Sequence, residues 1–115
     1  MTQAIGEHSG PYTTGWIGDR AHIDPDDENV DVWVEFESGE SYIATFFTLK
    51  NLATLMARYR ESGECASGLY VWGSDMIVVE RLTDDVIERT IADLLKSGEF
   101  TGAFSYCEPR VYEDG

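Results

Sequence analysis

The feature that most constrains this chain is a strict alternation beginning at residue 30. Val30, Val32, Val34 and Phe36 are apolar, and Asp31, Trp33, Glu35 and Glu37 fall between them. A period of two puts the first set on one side of an extended strand and the second on the other. A helix would mix the two sets around its circumference, so this segment is predicted to be a strand with one buried face. Ser38-Gly39 is a plausible two-residue turn, and a return strand follows over residues 41–47. Pairing across that turn sets Val34 opposite Ile43 and Val32 opposite Thr45.

Thr48 then reads as a helix N-cap, because its hydroxyl can accept from an otherwise unpaired amide of the first turn. Leu52, Met56 and Tyr59 form an apolar stripe at helical spacing, and Gly63 suits the left-handed C-cap. The second half repeats the order of events. Residues 69–72 and 76–80 read as two strands around Gly73-Ser74. Thr83 caps a second helix with Asp84 and Asp85 in its first turn, Ile87, Ile91, Leu94 and Leu95 form its stripe, and Gly98 ends it. Thr48 falls on Thr83 and Ser62-Gly63-Glu64 on Ser97-Gly98-Glu99, both at an offset of 35 residues (83 less 48). Either true duplication or shared start and stop signals produces this match. The expectation is an α+β domain: a duplicated ββα unit, with an antiparallel four- to five-stranded sheet and two helices on one face. FTGAFSYC (100–107) is a candidate fifth strand. Residues 1–28, rich in Gly and Pro, read as an irregular N-terminal arm. Residues 29–107 form the single domain and residues 108–115 a C-terminal tail. The chain has 115 residues, enough for one core without metal or disulfide staples.

In this register Val30, Val32, Val34, Phe36, Ile43 and Phe47 share the helix-covered face with Leu69, Val71, Met76 and Val78. The opposite face then holds Trp33, Tyr42, Ala44, Phe46, Tyr70, Trp72, Ile77 and Val79, with Asp31, Glu35 and Glu37 among them. A solvated sheet face is ordinarily polar, so such a concentration of aromatic groups calls for a cover. The candidates are the N-terminal arm through Tyr12, Trp16 and Ile17, a second copy in a homodimer, or a different partner. Trp33, Tyr42, Phe46, Tyr70, Trp72, Asp31, Glu35 and Glu37 are the candidate binding residues.

Net charge is −14, and residues 24–40 hold eight carboxylates with no Lys or Arg. That field repels a phosphate backbone, so neither nucleic acid nor an anionic membrane surface is expected as a partner. It favours a basic protein partner, with aromatic rings available to cations. A solubilising surface is the plainer account of the same charges.

Chemistry is sparse. His8 and His22 lie in the arm, and a His–carboxylate site beside Asp24 and Asp26 is conceivable, although a polar surface role suffices. The acidic run from Asp24 lacks the Gly and the distal Glu of an EF-hand loop. Cys65 follows a helix, where the dipole would not activate its thiol. Cys65 and Cys107 match no zinc spacing and are expected as free thiols. No cofactor, metal or catalytic residue is assigned, and an enzyme is not the favoured reading. With no basic leader and no long apolar run, a cytoplasmic location is expected.

YIATFFT (42–48), MARYR (56–60) and SGEC (62–65), with GLYVWGSDMI (68–77) and SGEF (97–100), resemble a group of short bacterial proteins of unknown function. The resemblance implies a bacterial cytosolic protein and carries over no activity or site residue. The functional expectation is a non-catalytic interaction domain using an acidic aromatic sheet face, possible forms being an antitoxin or immunity protein. The alternatives are a small enzyme or ligand-binding domain at the same face, and a DNA mimic that inhibits a DNA-binding protein.

Overall fold

The computed structural model describes residues 11–18 and 22–107. The fold is α+β, with a five-stranded sheet. In chain order the elements are β1 (Tyr12–Ile17), β2 (Asn29–Phe36), β3 (Ser41–Thr48), α1 (Leu49–Ser62) and α2 (Glu64–Gly68). They continue with β4 (Met76–Val79), α3 (Asp84–Ser97), α4 (Phe100–Ala103) and β5 (Ser105–Cys107). β1, β2 and β3 run antiparallel in sequence order. The far edge of β3 is divided: residues 45–48 pair in parallel with β4, and residues 41–43 pair antiparallel with β5.

The β2–β3 hairpin forms where the alternation requires it, but in a different register. Phe36 N–H donates to the Glu40 carbonyl (2.9 Å), and Gly39 N–H donates to the Phe36 carbonyl (2.9 Å). The loop is therefore Glu37-Ser38-Gly39, three residues, with Gly39 in the left-handed region at φ 98°. One extra loop residue moves every partner by one place. Val34 faces Tyr42, Val32 faces Ala44 and Val30 faces Phe46. A one-residue slip exchanges the two faces of a strand, so Tyr42, Ala44 and Phe46 lie in the core, not on the opposite face. Ile43 and Thr45 pair with Trp33 and Asp31 on the other side.

The second ββα unit does not form. Residues 69–72 are not a strand, and β4 joins β3 in parallel instead of folding back on them. A four-residue hairpin alone is marginal. By joining β3, β4 sets Ile77 beside Phe46 and buries Val79. Ile77 and Val79 therefore face the core, while Val78 is exposed, the reverse of the expected assignment. Both helices start and stop as expected. Thr48 Oγ1 accepts from Asn51 N–H (3.0 Å) and Thr83 Oγ1 from Val86 N–H (3.2 Å). Gly63 and Gly98 end the helices with positive φ.

The two helices do not share a face. Val30, Val32, Val34 and Phe36 join Ile87, Ile91 and Leu95 of α3, and Phe100 and Phe104 beside α4 and β5, in one buried cluster. Phe100 stacks on Phe104 (centroids 4.5 Å) and meets Tyr42 edge-on at 5.1 Å. No residue of α1 belongs to that cluster. By the same alternation Asn29 and Phe47 point to the other side of the sheet. There Asn29 Nδ2 donates to Asn51 Oδ1 of α1 (2.8 Å), and Phe47 and Leu55 are buried. The parallel β3–β4 connection carries α1 over to that side, where it covers one end.

Residues 12–17, expected within an irregular arm, are strand β1. Thr13, Thr14 and the aromatic flanks suit an extended chain, and Tyr12 and Trp16 pack against the core from its edge.

Candidate interaction surface

The eight candidate residues separate into three groups. Tyr42 is 7% exposed and Phe46 is fully buried, so neither is available to a partner. They fill the space between β2, β3 and the Phe100–Phe104 stack. Tyr70 and Trp72 are 45% and 71% exposed on the connection before β4. Trp33, Asp31, Glu35 and Glu37 stand outward as expected, the first three from β2 and Glu37 from the turn.

Trp33 is held in place by a neighbour without a side chain. Gly15 lies opposite it on β1, and a Cβ there would be only 2.6 Å from Trp33 Cζ2. The indole therefore lies across the backbone of β1 at a position where any larger residue would displace it. Thr14 Oγ1 donates to the Trp33 carbonyl (2.7 Å), fastening the two strands at the same point. Ile17, 60% exposed, extends the apolar surface beside Asp31. Asp31 Oδ1 accepts from Thr45 Oγ1 (2.7 Å).

Much of the acidic run serves the fold. Asp24 Oδ1 accepts from Asp26 N–H (3.0 Å), and Asp26 pairs with Arg81 (2.7 Å). Asp27 accepts from Asn51 Nδ2 and Thr54 Oγ1, both at 2.9 Å. Those bonds, Asn51 first and then Thr54, hold the Asp27 carboxyl below its ordinary pKa; Lys50 and Arg58 add to the effect against a smaller desolvation cost. Buried Thr48 accepts from both Asn51 N–H and Glu28 N–H, so its hydroxyl ties the acidic loop to the start of α1. Asp24, Asp26 and Asp27 are thus tied into the fold, whereas Glu35 and Glu37 of the same run stand exposed.

The connection after α1 has unusual backbone geometry. Cys65, Ala66 and Ser67 have φ of 50°, 53° and 58° and helical ψ of the left-handed sense, between Gly63 and Gly68, which also have positive φ. Ser67 N–H reaches the Gly63 carbonyl (3.3 Å) and Leu69 N–H the Cys65 carbonyl (3.0 Å), completing a left-handed turn. Such backbone costs L-residues roughly 1–2 kcal/mol each. Gly68 is required by contact as well, since a Cβ would be 2.5 Å from the Met56 carbonyl oxygen. The turn delivers Leu69 (76% exposed), Tyr70 and Trp72 to the surface. The flanking glycines were its only trace in the sequence.

Among the described residues no group of His, Cys, Asp and Glu is placed to hold a metal ion. His22 is exposed, and His8 lies outside the described residues. Neither Cys65 nor Cys107 is in a disulfide. No helix among the described residues is long and apolar enough to cross a membrane.

Fold and surface together define an acidic α+β domain, one sheet face sealed by α3 and the other covered by α1 at one end only. The chain matches no family model, no curated protein and no solved structure, so its function is argued from its own residues.

Proposed function

We propose that this domain is a non-catalytic interaction module that docks a basic protein partner. The observation that carries this reading is the uncovered part of the second sheet face. Trp33 and Ile17 are exposed there, with Asp31 and Glu35 alternating beside them on one rigid strand pair. Trp is among the residues enriched at the anchors of interfaces. A negative rim speeds encounter with a positive partner and disfavours a negative one. Leu69, Tyr70 and Trp72 supply a second exposed apolar element of the same kind. A basic toxin neutralised by an acidic antitoxin or immunity protein is one pairing with this chemistry.

The test is affinity capture with the wild-type chain and with Trp33→Ala and Trp72→Ala, followed by reconstitution of the complex from purified components. The reading requires a partner of net positive charge, binding that weakens with salt, and at least a tenfold loss in Trp33→Ala. Unchanged binding by both folded variants would rule out these residues as anchors.

A further inference from the structure

The outer edge of β1 has its own hydrogen-bonding capacity. Phe36 directs both N–H and C=O toward β3. The alternation of an antiparallel ladder then directs Asp31, Trp33 and Glu35 toward β1, in agreement with the Thr14 hydroxyl bond to the Trp33 carbonyl. Their partners Ile17, Gly15 and Thr13 face back toward β2. Tyr12, Thr14 and Trp16 consequently point their backbone groups away from the sheet. Among the described residues no strand pairs with that edge. Natural edge strands are commonly protected by Lys, Pro or a bulge within the strand. β1 reads YTTGWI and has none of these.

Carboxylates flank this edge on both sides. A cavity of about 350 Å³ at its start is lined by Pro11, Tyr12 and Thr13 with Glu35 and Glu37. A second, of about 190 Å³, is lined by Thr14 and Trp16 with Asp84 and Glu88 of α3. Asp84 accepts from Trp16 Nε1 (2.9 Å). Glu35, Glu37 and Glu88 make no ion pair among the described residues. β1 and the β2–β3 hairpin contain no Lys or Arg. Burial, and then the charge of Glu88, raise the Tyr12 pKa, as expected of a negative surround.

We infer that the β1 edge is a strand-addition site for an extended basic segment of a partner protein. Its backbone pairs with Tyr12 and Thr14, and Lys or Arg side chains on its two faces meet Glu35 and Glu37 on one side and Glu88 on the other. Strand addition takes affinity from main-chain bonds and selectivity from the side chains that alternate to either face. Neighbouring strands lie about 4.8 Å apart, so a cation opposite Thr13 is two strands from Glu35, within joint reach of two long side chains. A second copy fits poorly, because its own β1 brings more carboxylates and no cation. The same holds for residues 1–10, which contain Glu7 and no Lys or Arg. This site shares with the proposed function the basic character of the partner and the carboxylate of Glu35, but its anchor is the backbone edge of β1 and not the exposed face of Trp33.

The test uses a blocked eight-residue peptide, Thr-Lys-Lys-Thr-Thr-Lys-Lys-Thr, whose paired Lys put a cation on each face of an extended strand. Its control is a peptide of equal charge whose two central Thr are Pro, which cannot add as a strand. Nuclear magnetic resonance is expected to show amide exchange at Tyr12 and Thr14 slowed by the first peptide alone. Thr14→Pro removes an outward donor that the sheet does not use and is expected to lose at least tenfold in affinity, whereas Thr14→Val binds as wild type. Glu35→Gln, Glu37→Gln and Glu88→Gln together are expected to cost roughly tenfold, from about 0.5 kcal/mol for each exposed pair. Equal binding of both peptides, wild-type binding by Thr14→Pro, or shifts confined to Trp33 and Ile43 would overturn the inference. So would a mass that doubles with concentration and returns to monomer in Thr14→Pro, which assigns the edge to self-pairing. Protection already present in the free chain and lost on removing residues 1–10 would assign it to that segment. Thr14→Pro leaves the exposed face of Trp33 in place, so the edge and the proposed docking face fail separately.

Discussion

Replacing Phe46 with Ala separates the two possible registers of the central hairpin. In the observed register Phe46 is fully buried, opposite Val30 and 6.1 Å from the ring of Phe104. Truncating a buried Phe to Ala costs about 3–5 kcal/mol, including the cavity left behind. A chain of 115 residues has a total stability of roughly 6–17 kcal/mol at 0.05–0.15 kcal/mol per residue. The substitution thus removes a large share without necessarily unfolding the chain. With a urea m-value of about 2 kcal/mol/M, the midpoint should fall by about 2 M. The thermal midpoint should fall by about 15 °C at roughly 4 °C per kcal/mol. Ile43, half-buried on the other face, should cost only about 1–2 kcal/mol as Ala, in proportion to the smaller apolar area it buries. Urea unfolding followed by far-ultraviolet circular dichroism measures both. A reversed order, with Ile43→Ala costing more than Phe46→Ala, would refute the three-residue loop and the assignment of faces derived from it.

Three further outcomes are expected. Ala66→Gly should stabilise the chain by about 1 kcal/mol, opposite in sign to its effect in an ordinary helix, because φ 53° strains any residue with a Cβ; a lower thermal midpoint would contradict the left-handed turn. Thr48→Ala should lose about 1–2 kcal/mol, since one buried hydroxyl satisfies two amides, while Thr48→Ser should recover most of it in chemical denaturation. Asp27 is more acidic in the folded chain than in the unfolded one, so its contribution is complete above the ordinary carboxylate pKa and is lost as pH falls through the lowered folded value. Acid unfolding of Asp27→Asn should lack that component, and a wild-type acid profile in the variant would show that its bonds to Asn51 and Thr54 contribute nothing.

Local signals in the sequence located most elements. The alternation of β2, the Thr caps at 48 and 83 and the glycines at 63 and 98 placed a strand and two helices where they occur. What failed was non-local. Ser38-Gly39 marks a turn but does not distinguish a two-residue loop from one of three, and that single residue moved Tyr42 and Phe46 from the surface to the core. The resemblance between the halves concealed a parallel β3–β4 pairing, because strand direction depends on whether the chain turns back as a hairpin or crosses over through α1, which no local signal records. The Gly-rich opening hid β1, where Gly15 is present to admit Trp33 and does not mark a loop. Trp33, Asp31 and Glu35 remained outward because β2 alone fixes their side of the sheet. Tyr70 and Trp72 are exposed for a different reason, the left-handed turn before them, which leaves no periodic trace.

The divided edge of β3 has a consequence for the order of assembly. Residues 45–48 gain their outer partner from β4, but residues 41–43 wait for β5, some 62 positions further along the chain (105 less 43). During vectorial synthesis the middle strand of the sheet is therefore made early and completed late. Until residues 105–107 emerge, the outward backbone groups of residues 41–43 lack their strand partner, and the ring of Phe46 lacks Phe104. Loop closure over so many residues is slow compared with local helix formation. A nascent chain of this protein thus carries its central strand incomplete until the last strand is made, and that interval is where a chaperone or a misfolding route would find it.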